Sequence, residues 1–525
     1  MLLRRMRWVG LAWLLAGCTA CSDGPGPSGP PGYATNRWTI MVYMAADNSL
    51  NSYAGRDVNE MEAGLASAGL GARAGAEVIL LFDPRTQGDW TDTRLYRILP
   101  DTNLAAIASE RLDDGAAGRG HCPPLGERNT GDGATLAWFM AHCRTNFPAG
   151  QYALILWNHG GGARAPARLD GQRGAVRISA CAASARGGGS FGPEAVPHTT
   201  GAGASPLREI AFDQLADDVI WLDELAAALA THRDAAGPLA VLGMDACLMG
   251  CVETAWEMRG LTRVLVASMA NEPQEGWDYQ RIFSALDEAT LSAEAFSTVI
   301  VDSYHALHSP DGVATGSGVT LSAVDCDKLG PLRSAVDELA RELALWLAPA
   351  GVLDTTRRGT FETLRDRATR FFDYRAADGY QEVRLAPWID LADLAAVLSD
   401  GTNALPQPVR DAAGAVRQAL SAAVIRAYGD SGISTQPYYH GSGLEVGRGL
   451  SIFVSPGEYV YNDGRGDWSL WAHQAWYTAQ ATGAGAALPR GGIDFASSNG
   501  NGSVDTWVEL FDLLYDGAGQ HVIAR

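Results

Sequence analysis

Residues 152–162 read YALILWNHGGG, and residues 239–250 read LAVLGMDACLMG. Each stretch begins with a continuous apolar run, typical of a strand that is buried on both faces of a parallel sheet, and ends in polar residues and glycines. In open α/β sheets, ligands bind at the carboxyl ends of the strands. Both polar segments therefore lie where a site is expected, and neighbouring strands would bring His159 and Cys247 together.

Strand-like and helix-like segments alternate along the rest of residues 37–325. This alternation predicts an α/β fold, with a mostly parallel sheet and helices on both of its faces. Strands are predicted at 38–44, 77–82, 93–99, 152–157, 239–244 and 263–268, and helices at 48–65, 132–142, 220–230 and 248–259.

Two further regions differ in character from residues 37–325. Residues 163–206 are rich in Gly, Ala, Ser, Pro and Arg, which predicts a flexible surface insertion. Residues 326–525 are predicted to form an additional, mainly helical C-terminal accessory region. The elements predicted there are helices at 328–346, 391–398, 408–428 and 468–478 and a strand at 449–454.

The N-terminus has the layout of an export signal. Basic residues precede an apolar run too short for a permanent membrane span, and the run ends in Leu15-Ala16-Gly17-Cys18, which resembles a bacterial lipobox. We expect residues 1–17 to be a lipoprotein signal peptide and Cys18 to be acylated. Residues 18–36, rich in Pro, Gly and Ser, would then tether the protein to the bacterial cell envelope, outside the cytoplasm. The alternative is an ordinary signal peptide, with Cys18 incidental.

The composition excludes some classes of function. The chain has 525 residues with 47% hydrophobic content, enough for a large globular protein, and its formal net charge of -20 argues against a nucleic-acid-binding surface. Its eight cysteines show neither paired metal-ligand spacing nor the density of a disulfide scaffold, so no zinc site is expected.

Cys247 and His159 fit the requirements of nucleophilic catalysis. A thiol is mostly protonated at neutral pH, so a nucleophilic cysteine needs an imidazole or a helix N-terminus beside it, and Cys247 precedes a predicted helix. The backbone N–H groups of Gly160 and Cys247 are candidates for an oxyanion hole. The alternative is an inert core cysteine and a simple glycine turn. Cys251 is a rival nucleophile, but one turn into the predicted helix it is expected to pack in the core.

The same motifs resemble those of the clostripain family of cysteine peptidases. The resemblance spans about residues 37–480, and it implies a caspase-like, three-layer α/β/α fold with His159 and Cys247 as the catalytic residues and no organic cofactor. The motifs that carry it are WTIMVYMAADN at 38–48, LWNHGGG at 156–162, MDACLMG at 244–250, GWDY at 276–279 and GRGLSIF at 447–453.

The resemblance also implies cleavage after a basic residue, Arg in the first place and Lys in the second. Asp245 would line the pocket for the substrate cation, because a buried carboxylate suits a bidentate guanidinium. A second acidic residue is expected after the next strand, and Glu275 and Glu272 are the candidates. The alternative role for Asp245 is an N-cap of the following helix.

Members of this family are often zymogens that cut themselves between the histidine and the cysteine. We expect self-processing in the 163–206 insertion, at one of Arg164, Arg168, Arg173, Arg177 and Arg186. Some relatives depend on calcium, and oxygen ligands of a suitable kind are present at Asp213, Asp217, Asp218 and Asp223. These residues lack the spacing of an EF-hand loop, so solvated surface acids are favoured over a calcium site.

The predicted function is that of a cysteine endopeptidase acting on basic peptide or protein substrates through a thioester acyl-enzyme. The main alternative is a catalytically inactive peptide-binding module of the same fold at the cell surface. The intact His159 and Cys247 motifs argue against that alternative, since peptide binding alone does not need a thiol beside an imidazole. A third reading is a hydrolase that acts on esters with the same residues.

Overall fold

The computed structural model describes residues 36–68, 75–87, 90–161, 210–286, 292–309, 312, 319–349, 351–371, 388–429, 449–454, 504 and 506–515. The expected signal peptide with Cys18, the tether, the five candidate processing arginines and the helix expected at 468–478 lie outside these residues.

The described residues form fourteen strands and eleven α-helices, numbered in chain order. The strands are β1 (Asn36–Ala46), β2 (Ala76–Pro84), β3 (Arg94–Arg97), β4 (Glu110–Arg111), β5 (Ala149–Trp157), β6 (Ile210–Asp213), β7 (Asp218–Ile220), β8 (Leu239–Asp245), β9 (Thr262–Ala267), β10 (Thr320–Asp325), β11 (Arg370–Phe371), β12 (Trp388–Asp390), β13 (Val424–Gly429) and β14 (Ser451–Phe453). The helices are α1 (Asn51–Ser67), α2 (Gly133–Asn146), α3 (Leu222–Ala236), α4 (Val252–Met258), α5 (Tyr279–Ser284), α6 (Ala293–His308), α7 (Leu329–Leu347), α8 (Thr355–Arg365), α9 (Leu391–Ser399), α10 (Gln407–Ala423) and α11 (Trp507–Tyr515).

The main sheet has nine strands in the order β13-β10-β9-β8-β5-β1-β2-β3-β4. The five central strands, β9, β8, β5, β1 and β2, pair in parallel, and the flanking strands pair antiparallel. Every residue of β8 is buried, as expected for a strand covered on both faces. The mostly parallel sheet confirms the predicted fold class, and the strands predicted in the first 325 residues are all present.

Helices cover both faces of the sheet and complete a three-layer α/β/α arrangement. Apolar side chains of α1, α5 and α6 form one hydrophobic cluster with one face of the strands. The other face packs against α2, α3, α4 and α7 to α11 in a second cluster. Within the residues the structure describes, every helix is either too short or too polar to span a bilayer.

The part of the chain beyond residue 325 is mainly helical where it is described, but it also completes the main sheet. The predicted helix at 408–428 is too long, because α10 ends at Ala423 and residues 424–429 form β13, which pairs with β10. Val424, Ile425 and Tyr428 favour a strand, and the pairing covers what would be an exposed sheet edge. A separate small sheet has the order β11-β12-β14.

Candidate active site

The candidate site lies at the carboxyl ends of three adjacent strands. β5 lies between β1 and β8, and Trp157 is paired with Met44 on one side and with Asp245 on the other. His159 and Cys247 therefore emerge from neighbouring strands, as the sequence predicts, and both line one cleft. The residues that line it are Leu50, Trp157, Asn158, His159, Asp245, Ala246, Cys247, Glu272, Pro273, Gln274 and Gly276.

Cys247 lies in a tight loop between β8 and α4. Its Sγ accepts a hydrogen bond from the backbone N–H of Glu272 at 3.3 Å. The next residue, Leu248, has a φ of 65°, a left-handed conformation that is unusual for a bulky side chain, and its N–H donates to the Ala270 carbonyl at 3.0 Å. The backbone that carries the thiol is therefore held in one conformation by the segment after β9.

The helix predicted from residue 248 begins later, at Val252, so Cys247 does not lie at a helix N-terminus. The left-handed Leu248 interrupts helical geometry, and Gly250 packs so closely on the Ser268 backbone that a Cβ there would lie 2.7 Å from the Ser268 carbonyl carbon. Cys251 is the N-cap residue of α4 rather than a residue one turn inside it. It is fully buried in the hydrophobic core, which confirms its expected packing.

His159 is buried beside the cysteine loop. Its Nε2 lies 2.9 Å from the hydroxyl of Ser49, the third residue after β1. Burial lowers the pKa of His159 to about 4, so the imidazole is neutral near pH 7. A Cβ at Gly160 would fall within contact distance of the Cys247 carbonyl oxygen, so only glycine fits between the two loops.

Ser49 was missed by the sequence analysis. The available signal was its place immediately after the 38–48 motif, at the carboxyl end of a strand next to β5.

Two asparagines fix the backbone on either side of the histidine. The side-chain amides of Asn48 and Asn158 both donate to the Phe212 carbonyl, at 3.0 and 3.1 Å, and both also donate to the Ala45 carbonyl. The Phe212 N–H donates to Asn158 Oδ1 at 2.9 Å. The strand β6, which follows the 163–206 insertion, is thereby held against the end of β1.

Asp245 is the last residue of β8, and its buried carboxylate points to the loop after β9. Its Oδ2 accepts hydrogen bonds from the Tyr279 hydroxyl at 2.8 Å and from the Trp277 N–H at 3.4 Å. Because the following helix begins only at Val252, the alternative role of Asp245 as an N-cap is wrong. Gly276 has a φ of 58°, and a Cβ there would lie 3.1 Å from the Asp245 carboxylate.

The two candidate glutamates lie in different surroundings. Glu272 lines the cleft, and its buried carboxyl group lies beside that of Asp245. Burial and the neighbouring Asp245 carboxylate raise the pKa of Glu272 well above its usual value, and burial also raises the pKa of Asp245. Glu275 does not line the cleft, and its backbone carbonyl accepts from Arg56 on α1 at 3.2 Å.

A carboxylate cluster lies at the carboxyl end of β2. Asp83, Glu127 and Asp213 each bring one oxygen within 4.8 Å of the others. Burial raises the pKa of Asp83 to about 8 and that of Glu127 to about 7, and the nearby Asp213 adds to both shifts. Four aspartates were candidate calcium ligands, and one of them, Asp213, belongs to this cluster among the described residues.

Comparisons with known proteins agree with this arrangement. The sequence profile of the clostripain family matches residues 42–175 and 199–479. Clostripain from Hathewaya histolytica is 25% identical over 535 aligned positions, which cover 91% of this chain and 87% of that protein.

Two solved structures share the fold. A secreted C11 cysteine protease from Bacteroides thetaiotaomicron, bound to an irreversible peptide inhibitor, has a TM-score of 0.50 at 16% identity and covers 84% of this chain and 97% of its own. A second structure of a secreted C11 protease from that organism, called iotapain, has a TM-score of 0.52 at 13% identity, with coverages of 83% and 99%. The chain therefore belongs to the clostripain family and is a cysteine peptidase, a hydrolase of peptide bonds.

Proposed function

We propose that the chain is an endopeptidase in which Cys247 is the nucleophile and His159 transfers the proton. The observation that carries this proposal is that both side chains line one cleft at the ends of neighbouring parallel strands. His159 takes the thiol proton while Cys247 Sγ attacks the scissile carbonyl carbon. The resulting oxyanion is bound by the backbone N–H groups of Gly160 and Cys247.

The same imidazole completes the cycle. It returns its proton to the departing amine, leaving a thioester on Cys247. It then accepts a proton from the water that attacks this thioester, and gives that proton to the Cys247 sulfur as the C–S bond breaks and the acid product leaves. A buried, neutral His159 suits the role, because it is free to accept a proton and the cost of a buried imidazolium favours release of that proton to the amine. The acyl-enzyme thus forms and breaks without an organic cofactor.

We assign the specificity pocket to Asp245 and Glu272, and we expect cleavage after Arg, with Lys second. Both carboxyl groups line the cleft that contains Cys247. A planar guanidinium can bind two carboxylates with several N–H donors, whereas an ammonium acts as a point charge. Glu272 fits the second acidic role better than Glu275, which does not line the cleft.

Turnover of matched fluorogenic peptides tests the proposal. Peptides ending in Arg, Lys or Asp are assayed with and without a thiol alkylator, and Cys247→Ala is compared with Cys251→Ala as the matched control. We expect Arg to be cleaved best, alkylation and Cys247→Ala to abolish cleavage, and Cys251→Ala to retain it. Turnover that survives Cys247→Ala contradicts the nucleophile assignment. Tight binding without any turnover supports the inactive peptide-binding module instead.

We further propose that the protein processes itself and is anchored by lipid. Self-cleavage after one of the arginines of the 163–206 insertion would appear as two polypeptides on a gel and as one uncut chain in Cys247→Ala.

Acylation of Cys18 would place the protein in the envelope fraction and incorporate a labelled fatty acid that Cys18→Ser does not incorporate. An active enzyme that stays uncut rules out self-processing, and a wild-type protein that takes up no label rules out acylation of Cys18.

Calcium dependence is the alternative that the sequence leaves open, and the cluster of Asp83, Glu127 and Asp213 offers oxygen ligands of the right kind. Chelation by EGTA tests it directly. Unchanged activity excludes a calcium requirement, whereas a loss that added Ca²⁺ reverses supports one.

A further inference from the structure

The side of His159 that faces away from the cysteine strand is occupied by Ser49. In the sheet, β5 has β8 on one side and β1 on the other. Cys247 follows β8 and Ser49 follows β1, so the strand that precedes His159 lies between the strand that precedes the thiol and the strand that precedes the hydroxyl. The Ser49 hydroxyl lies 2.9 Å from Nε2, so Nδ1 is the ring nitrogen that Ser49 does not contact.

Ser49 does not serve the helix that follows it. The N-cap residue of α1 is Leu50, which makes no side-chain capping bond, and the Leu50 N–H is satisfied by Asn48 Oδ1 at 2.9 Å. Serine at a helix start usually caps the first turn, so a hydroxyl turned towards a histidine instead is a departure from the local rule.

The position of Ser49 is fixed from its N-terminal side. The Asn48 amide donates to the Ala45 and Phe212 carbonyls at 2.8 and 3.0 Å, and the Asn51 N–H donates to the Asn48 carbonyl at 3.2 Å. The turn that carries Ser49 is therefore tied to both β1 and β6. A hydroxyl held in this way is oriented before any substrate arrives.

We propose that Ser49 is a positioning residue that holds the His159 ring by accepting the Nε2–H of the tautomer whose Nδ1 receives the Cys247 proton. The opposite tautomer would turn an N–H towards the thiol and could not accept its proton. A hydroxyl fixes the ring without adding a charge, so the imidazole stays neutral until the thiol proton arrives. The inference rests on the proposed role of His159.

The expected effects separate positioning from packing. Ser49→Ala should lower kcat/KM about 10-fold to 100-fold, the range associated with one hydrogen bond to a group that becomes charged. Ser49→Thr retains the hydroxyl and should recover most of the activity. Ser67→Ala, at the end of the helix that follows Ser49, is the matched control and should behave as wild type, because the Ser67 hydroxyl donates to the Ala63 carbonyl within α1.

The pH dependence of kcat/KM distinguishes a positioning role from a packing role, because a loss of packing alone would not shift it. In Ser49→Asp a carboxylate replaces the hydroxyl beside Nε2, which should raise the pKa of the imidazole and move the acid limb of kcat/KM to higher pH. The titratable groups that share the cleft with His159 are Cys247, Asp245 and Glu272, and Asp47 follows β1. All four are present in every variant, so the difference between profiles reports on position 49.

The complete series is wild type, Ser49→Ala, Ser49→Thr, Ser49→Asp, Ser67→Ala and His159→Ala, each checked for thermal unfolding. Wild-type kcat/KM in Ser49→Ala, equal losses in the Ala and Thr variants, or an unmoved acid limb in Ser49→Asp would overturn the inference. Full turnover in His159→Ala would instead overturn the proposed function. The two failures are therefore distinguishable in one experiment.

Discussion

Replacing Asp245 with Asn removes one charge from the cleft while keeping the shape of the side chain. The Asn oxygen can still accept the hydrogen bond that Tyr279 donates at 2.8 Å, so the loop after β9 should stay in place. A carboxylate and a guanidinium about 4 Å apart attract each other by about 4 kcal/mol at an effective dielectric constant near 20. We therefore expect kcat/KM for an Arg peptide to fall roughly 10²-fold to 10³-fold.

The assay compares Arg with citrulline at the cleaved position, because citrulline keeps the shape and loses the charge. Asp245→Asn should lose most of the preference for Arg and change citrulline turnover little, and Glu275→Gln, which alters a carboxylate outside the cleft, should keep the preference. Burial raises the pKa of Asp245 and Glu272, so the wild-type preference for Arg should weaken as pH falls and the pair takes up protons. An unchanged Arg-to-citrulline ratio in Asp245→Asn would refute this account of the pocket.

Three further substitutions test other contacts. Gly160→Ala brings a Cβ against the Cys247 carbonyl and should lower kcat/KM about 10²-fold, as a displacement near 1 Å does, and wild-type kinetics would contradict the close approach. His232→Leu tests a buried histidine whose pKa burial lowers to about 4. Below about pH 6.5 the unfolded chain binds a proton at His232 and the native protein does not, so the free energy of unfolding decreases as pH falls towards 4. In urea unfolding, His232→Leu should therefore lose about 2 kcal/mol less stability than wild type between pH 7 and pH 5. Equal losses in the two proteins would refute this role of His232. Glu253→Gln weakens the bond that Phe453 N–H makes at 3.0 Å and should lower the free energy of unfolding by about 1–2 kcal/mol, whereas unchanged stability would show that β14 is held by other contacts.

The sequence predicted the sheet and the position of the site because both depend on local pattern. The continuous apolar runs of β5 and β8 predict buried parallel strands, and the polar residues after them must lie at the same edge of the sheet. Cys247 and His159 could therefore be placed together from the sequence alone.

The errors arise where tertiary packing overrides local preference. Nothing in the run after Cys247 signals the left-handed Leu248, which depends on contacts with the segment after β9, so the predicted helix began four residues too early. The strand β13 follows α10 without a turn signal between them, and its pairing with β10 sets the point where the helix ends. Glu272 and Glu275 lie in one short segment, and the sequence does not show which of them faces the cleft. In the structure Glu272 lines the cleft, whereas the backbone carbonyl of Glu275 accepts a hydrogen bond from Arg56.

The most direct test of the central claim is to map the site of a covalent affinity label. The enzyme is inactivated with an arginyl chloromethyl ketone peptide, digested, and analysed by mass spectrometry alongside His159→Ala. We predict one label per chain on Cys247, in step with the loss of activity, and much slower labelling in the histidine variant. Full inactivation that leaves Cys247 unmodified, with the label on Cys251 or elsewhere, would contradict the account.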